Sequence, residues 1–183
     1  DRSLKSMAAI SWDDRSNSKK DRLILKRINR SFCLRYYQLC FTEAFIFYPV
    51  ERFDIQGKQL LQQNQKLYIS DTGLRRFMIP KKNYDLGFTL ENVIYLELCR
   101  CGYEVYVGKN GVTEVDFVAK KNDTIEYFQI TASMTDENTF NREITPLRNI
   151  RDNYPKTILT LDRFTLGNYD GIIVENAVDW LMK

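Results

Sequence analysis

Thr113-Glu114-Val115-Asp116-Phe117-Val118-Ala119, then Lys120-Lys121-Asn122-Asp123, then Ile125-Glu126-Tyr127-Phe128-Gln129-Ile130-Thr131 is the stretch on which the fold turns. Two runs rich in β-branched and aromatic residues alternate with period two around a polar break, which predicts two strands of a hairpin. Alternation sets Glu114 and Asp116 on one face of the first strand, with Val115 and Phe117 on the other. Gln129 and Thr131 likewise share a face of the second. A four-residue turn from Lys121 to Thr124 would place Asp116 opposite Gln129, so that their side chains converge at mid-sheet.

Working outward, Leu90, Val93, Ile94, Leu96 and Leu98 mark a helix that is apolar nearly all round and therefore buried, with Thr89 as its cap and Gly102 as its stop. Tyr103 to Val107 reads as a strand and Gly108-Lys109-Asn110-Gly111 as the turn after it. Downstream, Phe140, Ile144, Leu147 and Ile150 recur at helical spacing, with Pro146 expected to kink or split that helix. Lys156 to Leu161 and Gly171 to Val174 follow as strands, and Ala177 to Met182 as a closing helix. The succession predicts an α/β fold, a sandwich built on a mixed sheet.

Upstream, Phe45 to Val50 and Lys66 to Ile69 are strand-like and Gln56-Gly57-Lys58 is a turn, a hairpin after a helix, as at the end of a winged-helix module. Three segments are expected: residues 1–18, polar, aperiodic and either disordered or appended; 19–76, a partial winged-helix-like segment and linker; and 77–183, the α/β domain.

Composition narrows the chemistry. The chain has 183 residues, 44% of them hydrophobic, enough for one full core with an appendage. It contains no histidine, which removes Ser-His-Asp and Cys-His nucleophile systems and His-ligated zinc, and leaves catalysis to carboxylates and lysines. Cys33, Cys40, Cys99 and Cys101 lack Cys-x-x-Cys spacing and are expected to be reduced thiols. Without a stretch of about 18 apolar residues or a signal pattern, no membrane association is expected, and the expected location is cytoplasmic.

Charge is uneven along the chain. Residues 1–50 carry ten Lys/Arg against five Asp/Glu, and the remaining residues 17 against 19, so the basic excess lies at the N-terminal end. Lys19, Lys20, Arg22, Lys26, Arg27 and Arg30 interleave with Leu23, Ile24, Ile28 and Phe32 near helical spacing. They are candidate DNA contacts, with a solvated helix face as the alternative. Glu91, Asp116 and Gln129 form a candidate oxygen-ligand set for a hard divalent ion, Mg²⁺ or Mn²⁺. The alternative is that Glu114 and Asp116 pair with nearby Lys or Arg as ordinary polar structure.

Leu90-Glu91-Asn92, Gly102-Tyr103-Glu104-Val105-Tyr106, Glu114-Val115-Asp116-Phe117-Val118 and Tyr127-Phe128-Gln129-Ile130-Thr131 together resemble a domain of unknown function that ends a group of prokaryotic AAA-type ATPases. That domain is of PD-(D/E)XK, or restriction-endonuclease-like, type, and its nearest enzymatic relatives by pattern are the archaeal Holliday junction resolvases. Arg52 to Lys58 and Lys66 to Arg75 resemble the wing and linker before it, so the likeness covers roughly residues 41–183.

The resemblance implies that Glu91 matches the helical acidic residue and Asp116 the invariant aspartate of the nuclease motif. Where active members carry Glu-x-Lys, this chain has Gln129 and Thr131. A metal-binding charge and the water-activating lysine are thus absent from those positions, and Lys120 or Lys121 would have to supply the cation. No nucleotide-binding loop is present, because Gly57-Lys58 has Arg52 where Gly-x-x-x-x-Gly-Lys requires glycine and Gln59 where it requires Ser or Thr. The expectation is a catalytically degraded nuclease-like domain acting as a DNA-binding or protein-interaction module of an ATPase. The alternative is a divalent-metal-dependent DNA nuclease of resolvase type.

Overall fold

A computed structural model describes residues 36–78 and 86–183 of the chain. The chain divides into two compact units, Asp1–Glu43 and Ala44–Lys183. In the first, residues 36–43 are helical, and Thr42 Oγ1 donates to the Gln38 carbonyl at 2.9 Å. The expected DNA contacts Lys19, Lys20, Arg22, Lys26, Arg27 and Arg30 lie outside the described residues, as does the 1–18 segment.

The second unit runs β1 (Phe47–Asp54), β2 (Gln59–Ile69), α1 (Thr72–Met78), α2 (Leu86–Arg100), β3 (Glu104–Asn110), β4 (Thr113–Lys121), β5 (Thr124–Thr131), α3 (Glu137–Arg148), β6 (Lys156–Thr160), β7 (Gly167–Tyr169), β8 (Ile172–Asn176) and α4 (Ala177–Leu181). The strands form one mixed sheet of order β2-β1-β3-β4-β5-β6-β8-β7. The pairs β1–β3, β5–β6 and β6–β8 are parallel, and the others antiparallel. The expected mixed-sheet α/β fold is therefore present. The hairpin β1–β2, expected on the far side of a boundary at 76/77, instead extends this sheet through β3.

Two cores cover the sheet. Leu90, Ile94 and Leu98 of α2 pack on Phe117, Ala119, Phe128 and Ile130. Ile144 and Leu147 of α3 pack with Val115, Val118, Tyr127 and Ile158. Phe117 and Val118 are neighbours on β4, so the two helices lie on opposite faces. Burial of Ile94 and Leu98, each 0% exposed, stabilises the fold by about 1.5–3 kcal/mol apiece.

Helix α2 starts at Leu86, three residues before the expected cap Thr89, which lies inside the helix. It ends as expected at Gly102, whose φ of +82° suits glycine. Gly102 and Tyr103 donate their N–H groups to the Cys99 and Leu98 carbonyls, the paired bonds of a Schellman stop. Pro146 does not split α3, because it falls in the last turn, where the single lost N–H costs one ladder bond. The β4–β5 turn is the four-residue one expected from Lys121 to Thr124: its end residues pair, and Asn122 and Asp123 between them take φ of 47° and 64°.

Gly108 lies within β3 rather than in a turn. Between the pairs Tyr106↔Val118 and Gly108↔Val115 the register shifts, so Val107 opposes both Asp116 and Phe117 in a β-bulge. A Cβ on Gly108 would lie 2.9 Å from Val118 Cγ2 and 3.0 Å from Val115 Cβ, so only glycine fits there without displacement. The bulge overturns the expected facing: Val115 joins the α3-side core while Phe117 joins the α2-side core, and Glu114 turns to an ion pair with Arg52 on β1.

Candidate functional site

The site lies where β4 and β5 part. Their ladder ends at Phe117↔Phe128, one step short of Asp116 and Gln129. Beyond that point side chains replace backbone pairing. The Asp116 N–H donates to Gln129 Oε1 at 3.3 Å, and the Ile130 N–H donates to Asp116 Oδ2 at 2.8 Å. The structure thus sets Asp116 opposite Gln129, as the hairpin pattern predicts.

Three elements bring charge to this gap. From α3, Glu143, only 7% exposed, accepts from Gln129 Nε2 at 3.0 Å and from Arg142 Nη2 at 2.7 Å. From α2, Glu91 Oε1 accepts from Lys66 Nζ at 2.6 Å and from the Tyr68 hydroxyl. Lys66 and Tyr68 both belong to β2. At the next position of α2, the buried Asn92 side chain accepts from the Ile69 N–H at 2.9 Å and donates to the Ile69 carbonyl at 2.8 Å, closing the end of β2 onto the helix.

Burial, with the nearby Glu91 and Glu143 carboxylates, pushes the Asp116 carboxyl up to about 7 against the pull of the Ile130 N–H and Lys66. Burial, with Glu91 beside it, pushes the Tyr68 phenol well above its ordinary range, so it acts as a donor to Glu91. Asp116 thus holds its proton to higher pH than a free aspartate does, beside two separate hydrogen-bonded groups, Gln129–Glu143–Arg142 and Glu91–Lys66–Tyr68.

Thr131 lies outside this network, its hydroxyl donating to the Ser133 carbonyl at 2.9 Å. Neither expected substitute lysine reaches the gap. Lys120 Nζ sits 3.6 Å from the Phe53 ring centroid, its charge disfavoured by burial, and Lys121 Nζ donates to the Cys101 carbonyl at 2.8 Å. The cation at the site comes instead from Lys66. Lys66, Tyr68 and Glu143 were not singled out by sequence reasoning. Glu143 had a legible signal, since it falls three residues after Phe140 and just before Ile144 on the apolar stripe of α3. Lys66 had none, because its approach to α2 depends on how β2 joins the sheet.

Several of the candidate oxygens are already engaged: Gln129 Oε1, Asp116 Oδ2 and Glu143 accept protein donors, and Glu91 Oε1 is paired with Lys66, which leaves few oxygens open to Mg²⁺ or Mn²⁺ in this arrangement. Among the described residues no group of three or more Asp, Glu or Cys side chains is arranged to hold a metal ion. Also among the described residues, no helix is long and apolar enough to cross a membrane.

Fold and site together define a mixed α/β domain whose central hairpin opens onto a carboxylate–amide cluster. Among known proteins the chain is 43% identical over 140 residues to a Haemophilus influenzae protein described as uncharacterized, a match covering 76% of this chain and 34% of that protein. The chain thus spans about a third of the length of the relative it matches. No family model matches the chain. No solved structure matches it.

Proposed function

We propose that residues 77–183, with the hairpin β1–β2 added to their sheet, form a restriction-endonuclease-like (PD-(D/E)XK) domain that has lost cleavage and acts as a DNA-binding module of a larger protein of the AAA-type ATPase kind. The observation that carries this reading is the Asp116–Gln129–Glu143 network. Where a nuclease needs carboxylate oxygens open to a metal, Asp116 Oδ2 accepts from the Ile130 N–H, Gln129 bridges the Asp116 N–H and Glu143, and Thr131 supplies no cation. The share of the Haemophilus influenzae relative lying beyond the match leaves room there for another module. Fluorescence anisotropy with labelled duplex and four-way-junction DNA tests binding. The reading expects saturable binding that weakens steeply as salt rises, and salt-independent or absent binding rejects it in favour of a protein-interaction role.

One observation favours the second reading, a divalent-metal-dependent nuclease of resolvase type. Lys66 brings a lysine to the acidic cluster from β2, a different strand from the one on which Glu-x-Lys would carry it. If that lysine serves chemistry, Lys66→Met abolishes metal-dependent cutting while the fold persists.

A further inference from the structure

A separate cleft of about 820 Å³ opens between the β1–β2 turn, the β3–β4 turn and the loop after α3. Three cations line it: Lys58, Arg148 and Arg151. Lys58 and Arg151 are exposed and form no ion pair among the described residues, while Arg148 reaches only the exposed Asp170 at 3.1 Å. Asp152, the acidic lining residue among the described ones, is already taken by the Tyr127 hydroxyl at 2.7 Å and Lys156 Nζ at 3.3 Å. Among the described residues the lining is therefore electropositive.

Its wall contains one buried amide. Asn110 is 8% exposed, and its Oδ1 accepts from Gln56 Nε2 at 2.8 Å. That bond fixes the amide's orientation and leaves Nδ2 as a donor with no acceptor among the described residues. Nδ2 is open to solvent, so a ligand oxygen can take the place of water at that donor. Donors and cations without a free acceptor select an oxyanion.

We propose that this cleft binds phosphate groups, with Asn110 Nδ2 donating to a phosphate oxygen and Lys58, Arg148 and Arg151 neutralising its charge. The source is either the backbone of a nucleic acid or a free phosphorylated small molecule. The backbone source rests on the DNA-binding reading above, whereas phosphate binding itself does not.

The test uses the full chain, with titration calorimetry on inorganic pyrophosphate and anisotropy on a short labelled DNA duplex. The variants are Lys58→Glu with Arg151→Glu, both at exposed positions, and Asn110→Asp, each checked for folding by thermal denaturation. Arg163→Glu serves as a control remote from the cleft. If the cleft takes the backbone, both ligands bind, the double variant weakens both by about tenfold or more, and the salt slope for DNA falls by about two. Pyrophosphate binding lost in the variants, with no duplex binding at all, upholds the cleft with a free ligand and rejects the DNA reading. Duplex binding unchanged in the variants, with no pyrophosphate binding, overturns the cleft and leaves the DNA reading standing. If neither ligand binds, both are overturned.

Discussion

Asp116 and Gln129 face each other one step beyond the last backbone pair of the central hairpin, with the Asp116 N–H donating to Gln129 Oε1 at 3.3 Å. Gln129 is then committed at both ends, since its Nε2 donates to Glu143 at 3.0 Å. A glutamate at 129 could accept from Asp116 but could not donate to Glu143. It would also place a third carboxylate beside Asp116 and Glu143. Gln129→Glu should therefore destabilise the protein by about 1–3 kcal/mol, more at pH 8 than at pH 5, as read by urea denaturation at the two values. Equal or greater stability at pH 8 contradicts the network.

Asp116 gives stability a pH slope. A carboxyl whose folded pKa lies above its unfolded value binds its proton more tightly in the fold. Its stabilising contribution is complete below the unfolded value near 4 and is lost as pH rises through about 7. Asp116→Asn removes that titration, so the variant's stability should fall less than the wild type's between about pH 4 and pH 7. Parallel denaturation curves across that window for both proteins would show that Asp116 titrates normally.

Lys66 lowers the Asp116 pKa and neutralises Glu91. Lys66→Met should thus move the Asp116 titration to higher pH, which ¹³C-detected carboxyl titration reads directly. An unmoved Asp116 resonance would mean that Lys66 acts on Glu91 alone.

Asn92 holds the end of β2 to α2 through both backbone groups of Ile69. Asn92→Ala leaves that N–H and carbonyl unpaired in a buried position, at a cost of about 2–4 kcal/mol. Amide exchange at Ile69 should accelerate more than exchange at Ile94, in the middle of α2. Uniform acceleration would mean that the bond supports the whole unit rather than this junction.

Gly108 faces the β-bulge, and a Cβ there would press on Val115 and Val118. Gly108→Ala should cost about 1–3 kcal/mol and displace Asp116 from Ile130, visible as a shifted Ile130 amide resonance. An unperturbed Ile130 amide would show that the bulge absorbs the methyl group.

Period-two alternation was enough to pair Asp116 with Gln129 and to order the helices and strands around them, because it is local and strong on β4 and β5. The bulge escaped it. Val115, Phe117 and Val118 are all apolar, so the pattern reads the same whether or not alternation breaks at Asp116, and only the packing on two faces separates them. Glu143 was visible as a charge on an apolar helical stripe, yet its partner Gln129 lies 14 residues away on another element. Lys66 and Tyr68 reach Glu91 across more than 20 residues, through a hairpin whose place in the sheet rests on the β1–β3 pairing. Such nonlocal placement follows from topology rather than from any local pattern. Lys120, adjacent to the site in sequence, was drawn elsewhere by the Phe53 ring.

The most direct measurement is cleavage of labelled linear, single-stranded and four-way-junction DNA by the purified protein with Mg²⁺ or Mn²⁺, beside Asp116→Asn. Engagement of the Gln129 and Glu143 oxygens by protein donors, with no cation at Thr131, predicts no metal-dependent cutting by the wild type above the level of the variant. Cutting by the wild type that disappears in Asp116→Asn would contradict it and establish a working nuclease with Gln129 and Thr131 in place.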